Sequence, residues 1–373
     1  MTNRITVHPT HLADGREIIY FDDTDGHDRA SYPDTRKLPE ATTVSTMRRD
    51  PLTGAWVAYA AHRMNRTFMP AAADNPLAPT TDPEHPSEIP APDYDVVVFE
   101  NRFPSFSTHL DGDPHATWHV GEQPLYVEKP AYARCEVVCF TSDVNQSFRD
   151  LSVTRIRTVI EAWTHRTAAL SAIEGVKQVT PFENRGEEIG VTLQHPHGQI
   201  YSYPFLPPRT EQLLAQARAH RQKTGGHLFD DIIAAEKADG RRVIAETDDF
   251  IIFVPGGARW PMEVILAPKR NVADFTELSD AEKDALAPLL KKLYTAVDRF
   301  FDGVDKTPYI AGWNQAPIGE PDRDLCRLHL QLFSLMRSPG RMKFLAGSES
   351  AMGVWISDTT PERIATRFKE IWQ

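Results

Sequence analysis

Two histidines separated by one residue offer the clearest candidate chemistry in this chain. The run His195, Pro196, His197, Gly198 and Gln199 precedes β-branched and aromatic residues that are typical of a strand. Alternate residues of a strand face one side, so the two histidines and Gln199 would share a surface, and Gly198 would let a ligand approach the backbone. The histidines could be structural and merely hydrogen-bonded, or could bind a metal. Alternatively, His197 could attack phosphorus while Gln199 donates to a phosphate oxygen. The spacing alone leaves all three interpretations open.

The whole run from His195 to Gln199, followed by its aromatic strand, is more specific. It resembles the active-site motif of the galactose-1-phosphate uridylyltransferases, a family of the histidine-triad superfamily, and the resemblance covers roughly residues 45–373. It implies that UDP-glucose and galactose 1-phosphate exchange a uridylyl group in two steps through His197. The backbone carbonyl of His195 would fix the tautomer of the His197 ring, and Gln199 would stabilise charge on the phosphoryl oxygens.

Two other classes of function remain open. A phosphorylase or hydrolase acting on nucleotide sugars or dinucleoside polyphosphates would share the histidine chemistry and differ in base and acceptor. A nucleotide-binding or metal-binding module would bind without turnover. Trapping a uridylyl group on His197 would separate these classes, because a hydrolase would release free UMP and a binding module would change nothing.

The resemblance also assigns substrate-binding residues. Arg63 and Arg66 follow His62 at a spacing of three, and their planar guanidinium groups could hold phosphates; read without context, they are more often solvated surface charge. In relatives, this pair contacts the nucleotide. The remaining implied residues are Asn101 for base and ribose, Asn184 and Thr192 for the nucleotide, and Lys343, Phe344 and Glu349 for the hexose phosphate.

The metal ligands of relatives are largely replaced in this chain. His85 and Glu88 stand where many bacterial relatives have a Cys-x-x-Cys pair, Val144 stands near a ligand histidine, and only His195 is unchanged. We therefore expect no required cofactor and no structural zinc, with His85, Glu88 and His195 as possible remnant ligands. The places of a second metal site in some relatives hold Trp313, Asn314, His329 and Gln331.

The elements that would position these residues occur twice along the chain. Residues 136–138 are echoed by 263–265, and Leu151-Ser152 by Leu278-Ser279, each with an apolar helical stripe after it. Segment 309–314 stands where 179–184 stood, and the strand around Gln331 stands where the two-histidine strand stood. This comparison puts Gln331 at the nucleophile's place, so only the first half would do chemistry. The predicted fold is α+β: two tandem histidine-triad-like units, antiparallel sheets with packed helices, in one body.

The predicted boundaries follow from composition and periodicity. Residues 1–42 form a polar N-terminal arm, 43–207 the unit with the catalytic histidine, and 208–373 the second unit. Within these, we expect a helix from Leu151-Ser152 to about Ala172 and two helices between 212 and 238, broken at Gly225-Gly226. The proline-rich segment 69–93 should form a loop without a helix or strand of its own.

Composition and charge limit the kinds of molecule that this protein is expected to bind. The chain has 373 residues and a net charge of −11, which argues against a nucleic-acid surface. No apolar run approaches the length of a membrane span, and three cysteines without an apolar leader fit a cytoplasmic protein. Since Lys343, Phe344 and Glu349 lie about 150 residues beyond His197, the resemblance implies a homodimer in which each subunit completes the other's active site.

Overall fold

The computed structural model describes residues 5–65 and 74–372. Its strands are β1 (Thr6–His11), β2 (Glu17–Asp22), β3 (Thr46–Arg49), β4 (Trp56–Tyr59), β5 (Val96–Glu100), β6 (Trp118–His119), β7 (Val127–Pro130), β8 (Cys135–Cys139), β9 (Gln178–Arg185), β10 (His197–Tyr203), β11 (Val243–Glu246), β12 (Phe250–Phe253), β13 (Met262–Pro268), β14 (Tyr309–Asn314), β15 (His329–Ser334), β16 (Met336–Ser338) and β17 (Arg341–Met342). The helices are α1 (Val153–Ser171), α2 (Pro208–Thr224), α3 (Leu228–Asp239), α4 (Asp280–Asp298), α5 (Gly347–Ser350) and α6 (Pro361–Ile371).

One large antiparallel sheet runs through both halves of the chain. Its order is β1-β2-β5-β8-β10-β9-β14-β15-β13-β12-β11, and β9 pairs with β14 where the halves meet. Strands β3, β4, β6 and β7 form a smaller sheet in the first half. The predicted α+β class with two antiparallel units is confirmed, and the shared sheet joins the two units.

Equivalent helices cover one face of the large sheet. Both α1 and α4 span 19 residues and begin after a serine, Ser152 or Ser279, whose side chain accepts a hydrogen bond from a backbone N–H of the first turn. The helices pack against each other, and Phe148 stacks on Tyr294 with ring centroids 4.3 Å apart. The apolar stripes read from the sequence therefore form the core between helices and sheet.

The repeat is real, but one matched pair of strands was displaced. Glu136 faces the helices and binds Arg166 of α1, at 2.7 Å, whereas Glu263 lies on the other face and accepts a hydrogen bond from Gln331 at 2.6 Å. A shift of one residue moves every side chain of a strand to the opposite face, so Glu136 and Glu263 are not equivalent. Sequence similarity alone cannot reveal this one-residue shift.

The polar N-terminal segment extends the large sheet. Strands β1 and β2 form a hairpin, and β2 pairs with β5 along residues 18–21. Of the predicted loop 69–93, residues 69–73 lie outside the described residues, and residues 75–93 contain no helix or named strand, as expected. Helices α2 and α3 end and begin at the predicted break, where Gly225 has a φ of +75° that favours glycine. In the described ranges, no helix has the length and apolar character needed to cross a membrane.

Candidate functional site

The nucleophile candidate begins a central strand. His197 is the first residue of β10 and lies between β8 and β9, opposite Cys139. Gly198 points to the helix side, where an added Cβ would approach Phe140 Cζ and the Phe182 carbonyl oxygen at 2.8 Å each. The expectation that Gly198 admits a ligand is therefore wrong. Because Gly198 has no side chain, the Phe140 ring can pack against it and β9 can lie close to β10.

The ring of His197 is held in one tautomer by the backbone. Its Nδ1 donates to the carbonyl oxygen of His195 at 2.7 Å, which leaves the lone pair on Nε2. Within the described ranges, no hydrogen bond occupies that Nε2. Burial lowers the pKa of His197, and the hydrogen bond to the His195 carbonyl opposes this only in part. The neutral imidazole is thus the stable form near neutral pH, as a nucleophile requires.

Two cavities meet at His197. The smaller one, about 150 Å³, has walls of Arg63, Leu77, Asn101, Phe103, Thr192 and Gln199. The larger one, about 430 Å³, has walls that include Asn184, Arg185, Glu187, His195 and Lys306. His197 and Leu193 line both. A molecule that spans the two cavities would pass its central atoms across the free Nε2.

Most of the predicted nucleotide-binding residues lie around these cavities. Arg63 donates to the Phe103 carbonyl, the Ser105 hydroxyl and Tyr201 at 3.0–3.3 Å, so the strand after the histidines also holds this arginine. Asn101 accepts from the Phe103 amide at 2.8 Å, which orders the turn after β5. The structure thus brings together Arg63, Asn101, Asn184, Thr192 and Gln199 with both histidines. Arg66 lies outside the described residues.

The three residues expected at the hexose phosphate lie apart from these cavities. None of them lines either cavity. Lys343 is 2% exposed, and its ammonium group contacts Glu349 at 2.7 Å and the Ile356 carbonyl at 2.5 Å. Phe344, in contrast, is 82% exposed. Within this chain, Lys343 and Glu349 brace their own loop, and Phe344 points outward from it.

The expected remnant zinc ligands are not assembled. His85 is exposed and pairs with Asp82, while Glu88 is buried against Arg16, Arg36 and Arg102. Neither joins His195 in a potential ligand group of the described residues. The three guanidinium groups around Glu88 would repel a zinc ion, so this carboxylate does not fit a zinc site. The possible remnant ligands His85, Glu88 and His195 therefore do not form one site within the described residues.

His195 has its own hydrogen-bond partners. Its Nδ1 is 3.0 Å from Asn75 Nδ2, and its Nε2 is 2.7 Å from both the Thr141 carbonyl and the Tyr94 hydroxyl. The side chain is 2% exposed, and burial lowers its pKa to about 4. Because both ring nitrogens are engaged, His195 in this arrangement has no lone pair for a metal. A structural zinc does not fit the residues around it.

The second unit contains a histidine equivalent to His197, and it is not where the sequence comparison put it. Gln331 pairs with Gly312 as Gln199 pairs with Phe182, which makes the two glutamines equivalent. His329 then corresponds to His197, and its Nδ1 donates to the Arg327 carbonyl at 2.8 Å.

The surroundings of His329 differ from those of His197. The ring packs against Phe229 of α3, and the adjoining cavity measures about 60 Å³, too small for a nucleotide. We still expect chemistry only in the first half of the chain, but for a different reason. The second half has a histidine at the equivalent place, and this histidine is buried. The second metal set does not form either, since Asn314 binds Arg209 and Gln331 binds Glu263.

Three residues of the site escaped sequence analysis. Asn75 and Tyr94, which contact His195, lie in or beside a loop that has no periodicity to mark them. Glu183 precedes Asn184 on β9, and its side chain is buried and accepts from the Tyr309 hydroxyl at 2.8 Å. Burial raises the pKa of Glu183 to about 7. Its place next to Asn184 in the sequence was the only available signal.

Comparison with known proteins agrees with this geometry. A family model described as "Galactose-1-phosphate uridyl transferase, N-terminal domain" matches residues 35–207, and one described as the C-terminal domain matches 213–373. The galactose-1-phosphate uridylyltransferase of Streptomyces lividans is 43% identical over 97% of this chain and 97% of its own length. That of Thermotoga maritima is 33% identical over 87% of this chain and 98% of its own length.

A solved structure described as "Structure of uridylyltransferase" superposes with a TM-score of 0.76 and 31% identity, covering 88% of this chain and 98% of that one. The family expected from the run His195 to Gln199 is thereby confirmed. The chain belongs to the galactose-1-phosphate uridylyltransferase family.

Proposed function

We propose that this protein transfers a uridylyl group from UDP-glucose to galactose 1-phosphate, with His197 as the nucleophile. The observation that carries the proposal is the hydrogen bond from His197 Nδ1 to the His195 carbonyl, which leaves Nε2 free where the two cavities meet. A free imidazole nitrogen at the junction of two cavities suits transfer through a covalent intermediate.

In the first step, Nε2 of His197 attacks the α-phosphorus of UDP-glucose. A bond forms between nitrogen and phosphorus, and the bond to the bridging oxygen breaks, so glucose 1-phosphate leaves as an anion. No proton has to move, because Nδ1 keeps its proton and donates a hydrogen bond to the His195 carbonyl. That carbonyl dipole stabilises the positive charge that the ring acquires.

In the second step, a phosphate oxygen of galactose 1-phosphate attacks the same phosphorus. The nitrogen–phosphorus bond breaks, UDP-galactose leaves, and neutral His197 is restored. Arg63 and Gln199, in the smaller cavity, are placed to stabilise the charged phosphoryl oxygens in both steps. Each step inverts the configuration at phosphorus, so the overall exchange retains it.

We further propose that the reaction requires no metal cofactor. The support is the hydrogen bonding of His195 through both ring nitrogens and the separation of His85 and Glu88 from it. Full turnover after dialysis against a chelator, with less than about 0.1 equivalent of bound zinc, is the expected result. Stoichiometric zinc whose removal abolishes activity would contradict it.

We also propose that a second copy of this chain covers the loop after β17. Phe344, Leu345, Met352, Val354 and Ile356 lie within 13 residues and expose their apolar side chains, and Phe344 and Met352 are 82% and 76% exposed. Such a concentration of exposed apolar groups is typical of an interface. A two-fold dimer would bring this loop to the larger cavity of the partner and supply the hexose contacts that the single chain lacks.

Trapping the covalent intermediate tests the proposed chemistry. We expect incubation with UDP-glucose alone to add one uridylyl group, located by peptide mass spectrometry on His197. His197→Ala should form no adduct and should keep less than about a thousandth of wild-type turnover. The matched control is His329→Ala, which removes the equivalent but enclosed histidine and should still form the adduct.

Other outcomes identify other functions. Accumulation of free UMP without transfer to galactose 1-phosphate would indicate a hydrolase, and the absence of both adduct and UMP would indicate a binding module. An adduct on a residue other than His197 would overturn the assignment of the nucleophile.

A further inference from the structure

We propose that Asn75 and Tyr94 are positioning residues for His197, acting through the ring and backbone of His195. The inference rests on the proposed role of His197 and explains how the carbonyl that fixes its tautomer is itself fixed. His195 donates nothing to the substrate in this view. Its ring anchors the backbone from which the His197 ring is held.

The orientation of the Asn75 amide follows from its neighbours. Asn75 Oδ1 accepts a hydrogen bond from the Leu77 amide at 3.1 Å, so the amide nitrogen is the group that faces His195. An NH₂ group can only donate, and His195 Nδ1 must therefore accept. The proton of the neutral His195 ring consequently lies on Nε2.

Tyr94 completes this assignment. Its hydroxyl donates to the Leu77 carbonyl at 2.7 Å, so its oxygen is free to accept from His195 Nε2–H, and the Thr141 carbonyl accepts from the same group. All three contacts agree on one tautomer of His195, which is opposite to that of His197. The two histidines of the motif thus have different protonated nitrogens, each set by its own neighbours.

The N-terminal hairpin holds this arrangement in place. Leu12, Ile18 and Tyr20 of the hairpin pack in one apolar cluster with Leu77, Ile89 and Tyr94. Arg16 of the hairpin also binds Glu88 of the loop at 2.6 Å. Because the same loop supplies Leu77 to the smaller cavity and Asn75 to His195, ordering it serves both substrate binding and the nucleophile.

Substitutions that change one partner of the His195 ring at a time test the proposal. Tyr94→Phe removes the hydroxyl, and Asn75→Asp keeps an acceptor for the Leu77 amide but cannot donate to His195 Nδ1. We expect each to slow formation of the His197 adduct 10- to 100-fold, the usual effect of losing an orienting contact, with KM for UDP-glucose changed less than about threefold. The control is Tyr20→Phe, from the same cluster, whose hydroxyl makes no hydrogen bond to His195; it should react at the wild-type rate.

A spectroscopic measurement shows whether a variant reacts slowly because His197 is wrongly oriented or because the protein is unfolded. Nitrogen-15 chemical shifts of the histidine rings should show His195 protonated on Nε2 and His197 on Nδ1 in the unliganded protein. In the two variants, the His197 signals should shift toward a mixture of tautomers while the melting temperature changes little. Wild-type adduct rates in both variants, or slowed rates with an unchanged His197 tautomer, would overturn the proposal.

The same experiments distinguish failure of the proposed function from failure of the positioning proposal. If the wild-type protein forms no adduct, the covalent mechanism fails. The tautomers of the unliganded protein are measured independently of any reaction and still decide whether Asn75 and Tyr94 position the histidines.

Discussion

Glu183 is a buried carboxyl group whose protonation is tied to folding. Its pKa is raised by burial to about 7, against which the hydrogen bond from Tyr309 and the charge of Arg185 act in the opposite direction. The negative charge of Asp298 also raises the pKa of Glu183, whereas a hydrogen bond from Tyr294 lowers it. Protonated Glu183 is therefore the form that the fold accommodates.

This predicts that stability falls as the pH rises. The unfolded carboxyl loses its proton near pH 4.5, whereas folded Glu183 keeps it until about pH 7. The stabilisation is thus fully present below pH 4.5 and is lost as the pH passes through 7, a change of roughly 3 kcal/mol. Urea unfolding of wild type and Glu183→Gln at pH 5 and pH 8 should show this extra pH dependence only in the wild type. Equal pH dependence of the two proteins would contradict the assignment.

At the same scale, the chemistry of individual residues was predictable and their partners were not. The run His195 to Gln199 predicted, from residue types alone, the strand that bears the proposed nucleophile. It could not show that Gly198 faces Phe140, because the contacts come from strands distant in sequence. Asn75 lies 120 residues from His195, and only the folded sheet brings them together.

Among the elements, the N-terminal hairpin and the proline-rich loop act as one structure. Glu88 in the loop contacts Arg16 of the hairpin, Arg36 beyond it, and Arg102 after β5, at 2.6–3.1 Å. These cations lower the pKa of the Glu88 carboxyl against the effect of its burial. The carboxylate is therefore charged, and it links the loop to three other segments of the chain.

Removing that charge should loosen the loop. Glu88→Gln keeps the size of the side chain but leaves the buried Arg16 without this partner, which we expect to cost roughly 3 kcal/mol of unfolding free energy. The control is Asp82→Asn in the same loop, whose pair with His85 is exposed, so that this change should leave the unfolding free energy nearly unchanged. Denaturant titration of the three proteins decides the matter, and equal losses for the two variants would refute the distinction.

The element boundaries illustrate what local sequence specifies. The helix after Ser152 and the break at Gly225-Gly226 were predictable because capping and helical periodicity are local. The strands of the N-terminal hairpin were not, because their stability comes from pairing with β5 and from ion pairs to distant residues. The displaced match between Glu136 and Glu263 has the same origin, since register is set by the whole sheet.

At the scale of the whole molecule, the two units share a fold and differ in access to their histidines. His197 opens to two cavities, whereas helices α2 and α3 and the Phe229 ring close over His329. Burial also lowers the pKa of His329 to about 4. The second unit thus retains the backbone arrangement of the first without space for a nucleotide. In the proposed dimer, its exposed loop after β17 would contact a neighbouring subunit.

The last prediction follows from that loop. Lys343 and Glu349 brace it internally, so Lys343→Ala should disorder the apolar segment that bears Phe344 and should inactivate the protein without touching His197. If the loop completes the partner's site, a dimer of one His197→Ala subunit and one Lys343→Ala subunit contains one site with both parts intact. Random exchange makes half of the dimers mixed, each with one of two sites working, so an equal mixture should recover about a quarter of wild-type activity. A loop that serves its own chain would leave every site in the mixture defective. If activity does not recover although subunit exchange has been verified, the shared site is refuted. Full activity of a monomer at high dilution would refute it as well.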